Sequence, residues 1–460
     1  MNKKNRQQID QNIRLRNWAG IIYTIASAVI ISFGTYFTIR WAKGDFRLDQ
    51  NADLISKETG ILHATSNPKA AQVYINDKLT SATDNIIYLA PGEYQVVIQK
   101  DGYNSWQKNI KVEKGLVSQT NATLFPFSPN LTSLTFNGIQ QPLPSPDGSK
   151  ILFYTDTASI KSKNGLYIFD LNNSSKNIYQ LTANNFDFPL SESQFLWSPD
   201  SSEILIITPN YTYLINSNSY TDLNSSPDVS LQLDNLFSSW EKELALRERQ
   251  FLEKISPLAL NTIFNHAQNI FISPDKTKIL YTATASATLA DNLIPALPAR
   301  NSYPENRQLL PRSTYVYDGY EDKNYLIESP PLSQKDLLPT YKKILNPSLT
   351  LAQLNTPTAP TIINQLKADD SATTITNFQT YYGHHSHQPW FWLSDSNHLV
   401  KIIDQQIIII NYDGSNYTPI YSGPFNDNFL LPHTNGNSLI ILTSFNPDSP
   451  ANLYAIELKK

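Results

Sequence analysis

Three histidines, His384, His385 and His387, stand together just ahead of Trp390-Phe391-Trp392, with His398 a few residues on. Imidazoles crowded in this way are the pattern of a metal-binding tract. The other donors a metal centre needs are missing from the sequence. Cysteine is absent, no carboxylate falls at a ligand spacing, and the His-x-x-x-His pattern of hydrolytic zinc sites does not occur. The tract is therefore expected to be an exposed loop leading into a strand, with no metal bound. Aspartates recur at Asp147, Asp200, Asp275 and Asp395, with Asn435 in the equivalent place. Each lies in the same short turn, where a carboxylate accepts a backbone hydrogen bond two residues on. Residues that a repeat places one by one have local tasks and are not a converging catalytic set. Gly-x-Ser-x-Gly, phosphate-loop and dinucleotide fingerprints do not occur. The chain is expected to have no catalytic residue and no cofactor site.

The turn itself is the organising unit. Ser145-Pro146-Asp147-Gly148-Ser149-Lys150 runs into Ile151-Leu152-Phe153-Tyr154. Ser198-Pro199-Asp200 and Ser273-Pro274-Asp275 run into equally apolar segments, Leu393-Ser394-Asp395 is a weaker copy, and Pro432-His433-Thr434-Asn435 a degenerate one. Pro fixes φ, Asp closes the turn, and the β-prone run enters a strand. Second strands follow, such as Gly165-Leu166-Tyr167-Ile168-Phe169 and Ile407-Ile408-Ile409-Ile410. A recurring turn and strand pair predicts a repeat fold in which each sheet buries its faces against the next. On these Ser-Pro-Asp turns, residues 130–460 resemble the TolB-like β-propeller. Five blades are legible, and a sixth is expected in 331–385 if one exists. Leu131-Thr132-Ser133-Leu134 is expected to complete the last blade and close the ring.

The ring has elements before it. Residues 1–17 carry Lys3, Lys4, Arg6, Arg14 and Arg16 against a single Asp10. Residues 18–39 are 22 in number and hold no charge, so as a helix they span roughly 33 Å, enough to cross a bilayer core. Trp18, Tyr36 and Trp41 sit at the ends of this run, where amphipathic rings anchor to headgroups. Arg40-Trp41-Ala42-Lys43 follows in place of a small-residue cleavage site, so an uncleaved anchor is expected. The basic tail favours a cytoplasmic N-terminus, with everything after the helix outside. Residues 40–59 read as a polar stalk.

Residues 60–125 form a compact β unit. Gln72-Val73-Tyr74-Ile75 turns at Asn76-Asp77, Ala90-Pro91-Gly92-Glu93 launches a strand in which Tyr94, Val96 and Ile98 share a face, and Asp101-Gly102 signals a hairpin. With Ser66-Asn67-Pro68 before them and Tyr103 and Trp106 after, these residues resemble a PEGA domain, a small β-sandwich of bacterial envelope proteins. Thr80 to Asn85 departs from that family, where a Gly and a second Pro are usual. The resemblance implies an envelope module and supplies no catalytic residues.

Three insertions interrupt the blades. Residues 234–255 are expected to be a helix whose apolar face carries Phe237, Trp240, Leu244 and Phe251. Docking of that face on the propeller is preferred, and a partner-binding face is the alternative. The stretches 284–312 and 331–380, rich in Pro, Thr, Ala and Asn, read as long loops.

Composition bounds the rest. A net charge of −4 over 460 residues gives no basis for nucleic-acid binding. Without cysteine, disulfides and thiolate chemistry are excluded. The expectation is a mainly β, membrane-anchored envelope protein that binds protein or surface polymer. The alternatives are a propeller enzyme acting on surface glycans, which needs carboxylates or histidines converging from several blades, and a sensor, which a 17-residue tail argues against.

Overall fold

The computed structural model describes residues 3–42, 46–48, 54–56, 59–173, 177–184, 190–252, 255–295, 297, 301–329, 390–446 and 449–459. For residues 3–22, 46–48, 54–56, 241, 244–245 and 247–252 it describes the backbone alone. The chain divides into two compact units, one of residues 1–98, 109–123 and 298–302, the other of residues 99–108, 124–297 and 303–460.

In the first unit, helix α1 (Lys3–Ala42) contains the uncharged run. Its stretch Tyr23–Ala42 is long and apolar enough to cross a membrane by length and composition. Tyr23, Ile30, Ile31 and Phe33 are all exposed on it. The segment read as a stalk holds a short antiparallel ribbon, Phe46–Leu48 against Leu54–Ser56. Beyond it, Gly60–Ala64 pairs with Asn85–Leu89 on one side and with Val117–Gln119 on the other. A second sheet runs in the order Lys78–Ala82, Gln72–Ile75, Gly92–Gln99, Trp106–Val112. Alternation decides what faces inward: Leu62 and Ala64, Val73 and Ile75, and Val96 and Ile98 are buried.

The second unit is built from separate antiparallel sheets, taken here as blades. Blade one runs from Gln140–Pro144 through Lys150–Thr155 and Gly165–Asp170 to Ile178–Ala183. Blade two has three strands, Gln194–Trp197, Glu203–Ile207 and Thr212–Asn216. Blade three comprises Ala267–Ile272, Lys278–Ala283, Thr314–Asp318 and Lys323–Glu328. Blade four comprises Phe391–Trp392, His398–Ile403, Gln406–Asn411 and Thr418–Tyr421. Blade five takes Leu430–Pro432, Ser438–Thr443 and Asn452–Glu457, and its fourth strand is Leu131–Ser133 from the other end of the unit.

The strands are apolar on both sides because each blade is covered on both faces. In blade one, Leu152, Tyr154, Leu166 and Ile168 pack on Phe195, Trp197, Ile204 and Ile206 of blade two. The alternate residues Ile151, Phe153 and Phe169 pack on Ile440, Leu442 and Leu453 of blade five. Blade five turns Leu439, Ile441 and Ile456 to Val400, Ile407 and Ile409 of blade four. Leu399 and Ile410 of blade four then meet Phe271, Leu280 and Val316 of blade three. Blades three and four thus contact each other directly, and the sixth-blade expectation for 331–385 falls outside the described residues.

Between blades two and three the covering is helical. Helix α2 (Leu233–Leu252) lays Phe237 and Trp240 on Leu205, with Leu196, Ile207 and Leu214 beside them. Helix α3 (Pro257–His266) lays Ala259, Leu260, Ile263 and Phe264 on Ile279, Tyr281, Tyr315 and Tyr317 of blade three. The helix expected over 234–255 is α2, and Pro257 then opens the separate helix α3, where a missing N–H costs nothing. The 284–312 stretch is in part a ribbon, Ala287–Thr288 against Gln308–Leu309, with Leu289 and Leu309 buried on blade three. Arg307 fixes it by an ion pair to the buried carboxylate of Asp322, 3.2 Å away.

Trp240 is 4% exposed and meets Phe237 edge to face, with ring centroids 5.9 Å apart. Trp240→Ala is expected to cost about 3–5 kcal/mol. The loss appears in urea or thermal unfolding, and an unchanged melting temperature would contradict the docking of α2.

Candidate functional site

The turns that enter the second strand of each blade repeat one hydrogen-bond set. Ser145 Oγ donates to Asp147 Oδ1 (2.6 Å), the Ser149 amide donates to the same oxygen (3.0 Å), and the Lys150 amide donates to Ser145 Oγ (2.9 Å). Ser198 and Asp200 repeat this with Ser202 and Glu203, as do Ser273 and Asp275 with Thr277 and Lys278. Blade four has Leu393 in place of the serine. There His398, 4% exposed, supplies the missing contact by placing Nδ1 2.6 Å from Asp395 Oδ2. In blade five, His433 stands where the serine does, and its Nδ1 accepts from the Asn435 amide at 3.1 Å.

The fourth residue of every turn has positive φ: Gly148 (68°), Ser201 (62°), Lys276 (61°), Ser396 (56°) and Gly436 (67°). In four of the five turns this residue meets the preceding blade's turn. Ser201 Oγ accepts from the Asp147 amide at 3.4 Å, and Ser396 Oγ accepts from the Asp275 amide at 2.9 Å. Gly436 lies so close to Ser394 that a Cβ would clash with its Oγ, and Gly148 abuts Thr434. The turns therefore touch from blade three through four, five and one to blade two.

Electrostatics on this face follow from the same bonds. Burial alone would raise the Asp147 and Asp275 carboxyls, but hydrogen bonds led by Ser145 and Ser273 outweigh it and hold both below the usual range. Asp395 is also depressed, burial being overcome by the bond and charge of His398. Asp318 goes the other way. Burial raises it, and the nearby Lys278 offsets this only in part. Lys278 is 6% exposed, lies 3.4 Å from Asp275 Oδ2, and sits 4.8 Å above the Tyr412 ring. Farther round, Lys108 Nζ meets the buried Asp413 Oδ2 at 2.6 Å within the same unit.

An open cleft of about 250 Å³ lies on this face at the seam of blades one and five. It is lined by Asp170, Asn173 and Asn177 from blade one, His433, Asn435 and Ser438 from blade five, and the apolar Leu134, Phe169 and Leu171. Burial holds His433 below the usual imidazole value, so it is neutral at pH 7. The sequence reading treated the 432–442 copy as merely degenerate. The signal it passed over is a histidine at the one place where three blades carry serine.

The residues singled out from sequence are found in separate settings wherever they are described. His384, His385 and His387 lie outside the described residues. His398 is engaged with Asp395 and with the ring of Phe125, 5.2 Å away. Trp390 is buried, its Nε1 donating to Glu328 at 2.9 Å. Phe237 and Trp240, for which docking on the propeller was the preferred reading and a partner-binding face the alternative, are buried against Leu205 of blade two. The side chains of Leu244 and Phe251 lie outside the described residues, as does that of Trp18. Tyr36 and Trp41 are exposed near the end of α1. Among the described residues, no group of three His, Asp or Glu side chains is placed to hold a metal ion.

Because the folded values of Asp147, Asp275 and Asp395 are depressed, their contribution is complete above about pH 4, the unfolded carboxylate value. It is lost as pH falls through the lower folded values. Ser145→Ala removes the donor to Asp147 and strands the Lys150 amide, at a cost of about 1–3 kcal/mol at pH 7. Urea unfolding is expected to show this gap narrowing below about pH 3. An equal gap at both pH values would contradict the role assigned to the Ser145–Asp147 bond.

No curated protein matches the chain. Among solved structures it is similar to a protein assigned as TolB from Agrobacterium tumefaciens, at 11% identity over 70% of this chain and 78% of that one, with a TM-score of 0.20. It is also similar to TolB from Acinetobacter baumannii, at 11% identity over 80% of this chain and 60% of that one, with a TM-score of 0.19. A third is dipeptidyl peptidase 4 from Porphyromonas gingivalis, at 10% identity over 79% and 44% of the two chains, with a TM-score of 0.19. At such scores the blades rest on the strand pairing and packing of this chain alone. The stretch that follows the apolar helix, residues 59–126, matches the PEGA domain.

Proposed function

We propose that the chain is a single-pass membrane protein of the cell envelope, its N-terminus cytoplasmic and its two β units outside. It binds or scaffolds an envelope protein or a surface polymer and catalyses no reaction. One observation carries this reading: the PEGA-matched residues 59–126 begin shortly after a helix with a membrane-spanning stretch at Tyr23–Ala42. The basic residues ahead of that stretch, Lys3 to Arg16, support the orientation. Tyr36 and Trp41 suit the far interface, where Arg40 Nη1 donates to the Tyr36 hydroxyl at 3.1 Å and can reach headgroups. The binding reading is supported by the use of the recurrent acids. Asp147, Asp200 and Asp275 each accept hydrogen bonds within their own turns, a task that builds a platform.

Two measurements test the reading. Protease added to intact cells, with any outer barrier opened, is expected to remove the propeller and leave the basic tail protected. Complete protection of the propeller would overturn the orientation. Cross-linking in native cells is expected to co-isolate an envelope protein or polymer with residues 60–460, and recovery of the chain alone would contradict a scaffolding role.

A further inference from the structure

We infer that the cleft between blades one and five binds a neutral, hydroxyl-rich unit, a single sugar residue of a surface glycan. This rests on the binding reading above and gives it a site and a ligand class.

The size is the first constraint. At about 250 Å³ the cleft falls below the roughly 300–1,000 Å³ of pockets that take drug-sized ligands. It has room for one ring of a polymer whose neighbours remain in solvent.

The chemistry of the walls is the second. Asp170 uses Oδ1 to accept from the Asn172 amide at 3.0 Å, and among the described residues nothing donates to its Oδ2. Asn435 uses its Oδ1 to accept from the Asn437 amide at 2.8 Å, which leaves its NH₂ as a donor. His433 accepts the Asn435 amide on Nδ1, which places its proton on Nε2 as a further donor. Asn177 offers both an acceptor and a donor. Sugar hydroxyls both donate and accept, and a wall that alternates the two suits them. The cleft is lined by no Lys or Arg and by one carboxylate, which disfavours an acidic sugar. Leu134, Phe169 and Leu171 add apolar lining suited to the C–H face of such a ring.

The position is the third. The cleft lies where blade five departs from the turn pattern. Ser145, Ser198 and Ser273 close their turns with a small hydroxyl, whereas His433 puts an imidazole at the same place. His433→Ser therefore restores a turn that three blades of this chain already fold, and Asn177→Ala trims an exposed side chain.

Isothermal titration of the full chain in a sugar-free detergent tests the assignment, with N-acetylglucosamine, glucose, galactose, their short oligomers and galacturonate as probes. At least one neutral sugar is expected to bind saturably, with galacturonate at least about tenfold weaker. His433→Ser and Asn177→Ala are each expected to lower affinity about tenfold without moving the melting temperature. Absence of binding by every neutral sugar, or binding unchanged in both variants, overturns the assignment. A chain that takes no sugar yet co-isolates with an envelope protein overturns this inference alone. A chain that does neither overturns the binding reading as well.

Discussion

One short strand pair joins the beginning of the propeller to its end. Leu131–Ser133 lies antiparallel to Tyr454–Ile456, flanked by bonds from the Leu134 amide to Leu453 O and from the Glu457 amide to Asn130 O. Thr132 and Asn130 add side-chain bonds to Glu457. These residues are some 325 positions apart, and closing a loop of that length costs on the order of 5 kcal/mol in chain entropy. Three paired residues do not offset that cost unaided. The apolar faces that the pairing aligns, above all Leu134, Leu442 and Leu453 against Ile151 and Phe153 of blade one, do so.

The same constraint explains the helices. A blade exposed on one face leaves a row of large apolar side chains in water, so every blade needs two neighbours. Blades one, four and five find blades on both sides. Blade two has three strands, and its second face is met by Phe237 and Trp240 of α2. Blade three meets α3 in the same way. The insertion that interrupts the repeat is thus part of the ring's packing.

Much of this was legible in the sequence because the signals are local. Ser-Pro-Asp announces a turn wherever it stands, and a run such as Ile407 to Ile410 reads as a strand buried on two sides. The closing strand at Leu131 was legible from its β-prone composition, and α2 from the spacing of Phe237 and Trp240. Other features depend on partners distant in the chain. Ser256-Pro257 reads equally as an end or a beginning until blade three is there to receive Ile263 and Phe264. His398 looked like a companion to the histidine tract, but it serves as the partner of Asp395 because Leu393 has removed the usual serine. The cleft at His433 is a relation between blades one and five, and no local pattern announces it.

The central claim is that blade five is closed by a strand from the other end of the unit and unfolds with the rest of it. Native-state hydrogen exchange on the full chain measures this at the Leu134 and Glu457 amides, the two donors of the closing pair. Closure predicts that both exchange only by global unfolding, with the same protection as the paired Phe153 and Tyr167 of blade one. Rapid exchange at Leu134 and Glu457 while blade one stays protected would show that the closing strand opens on its own, and would contradict the account.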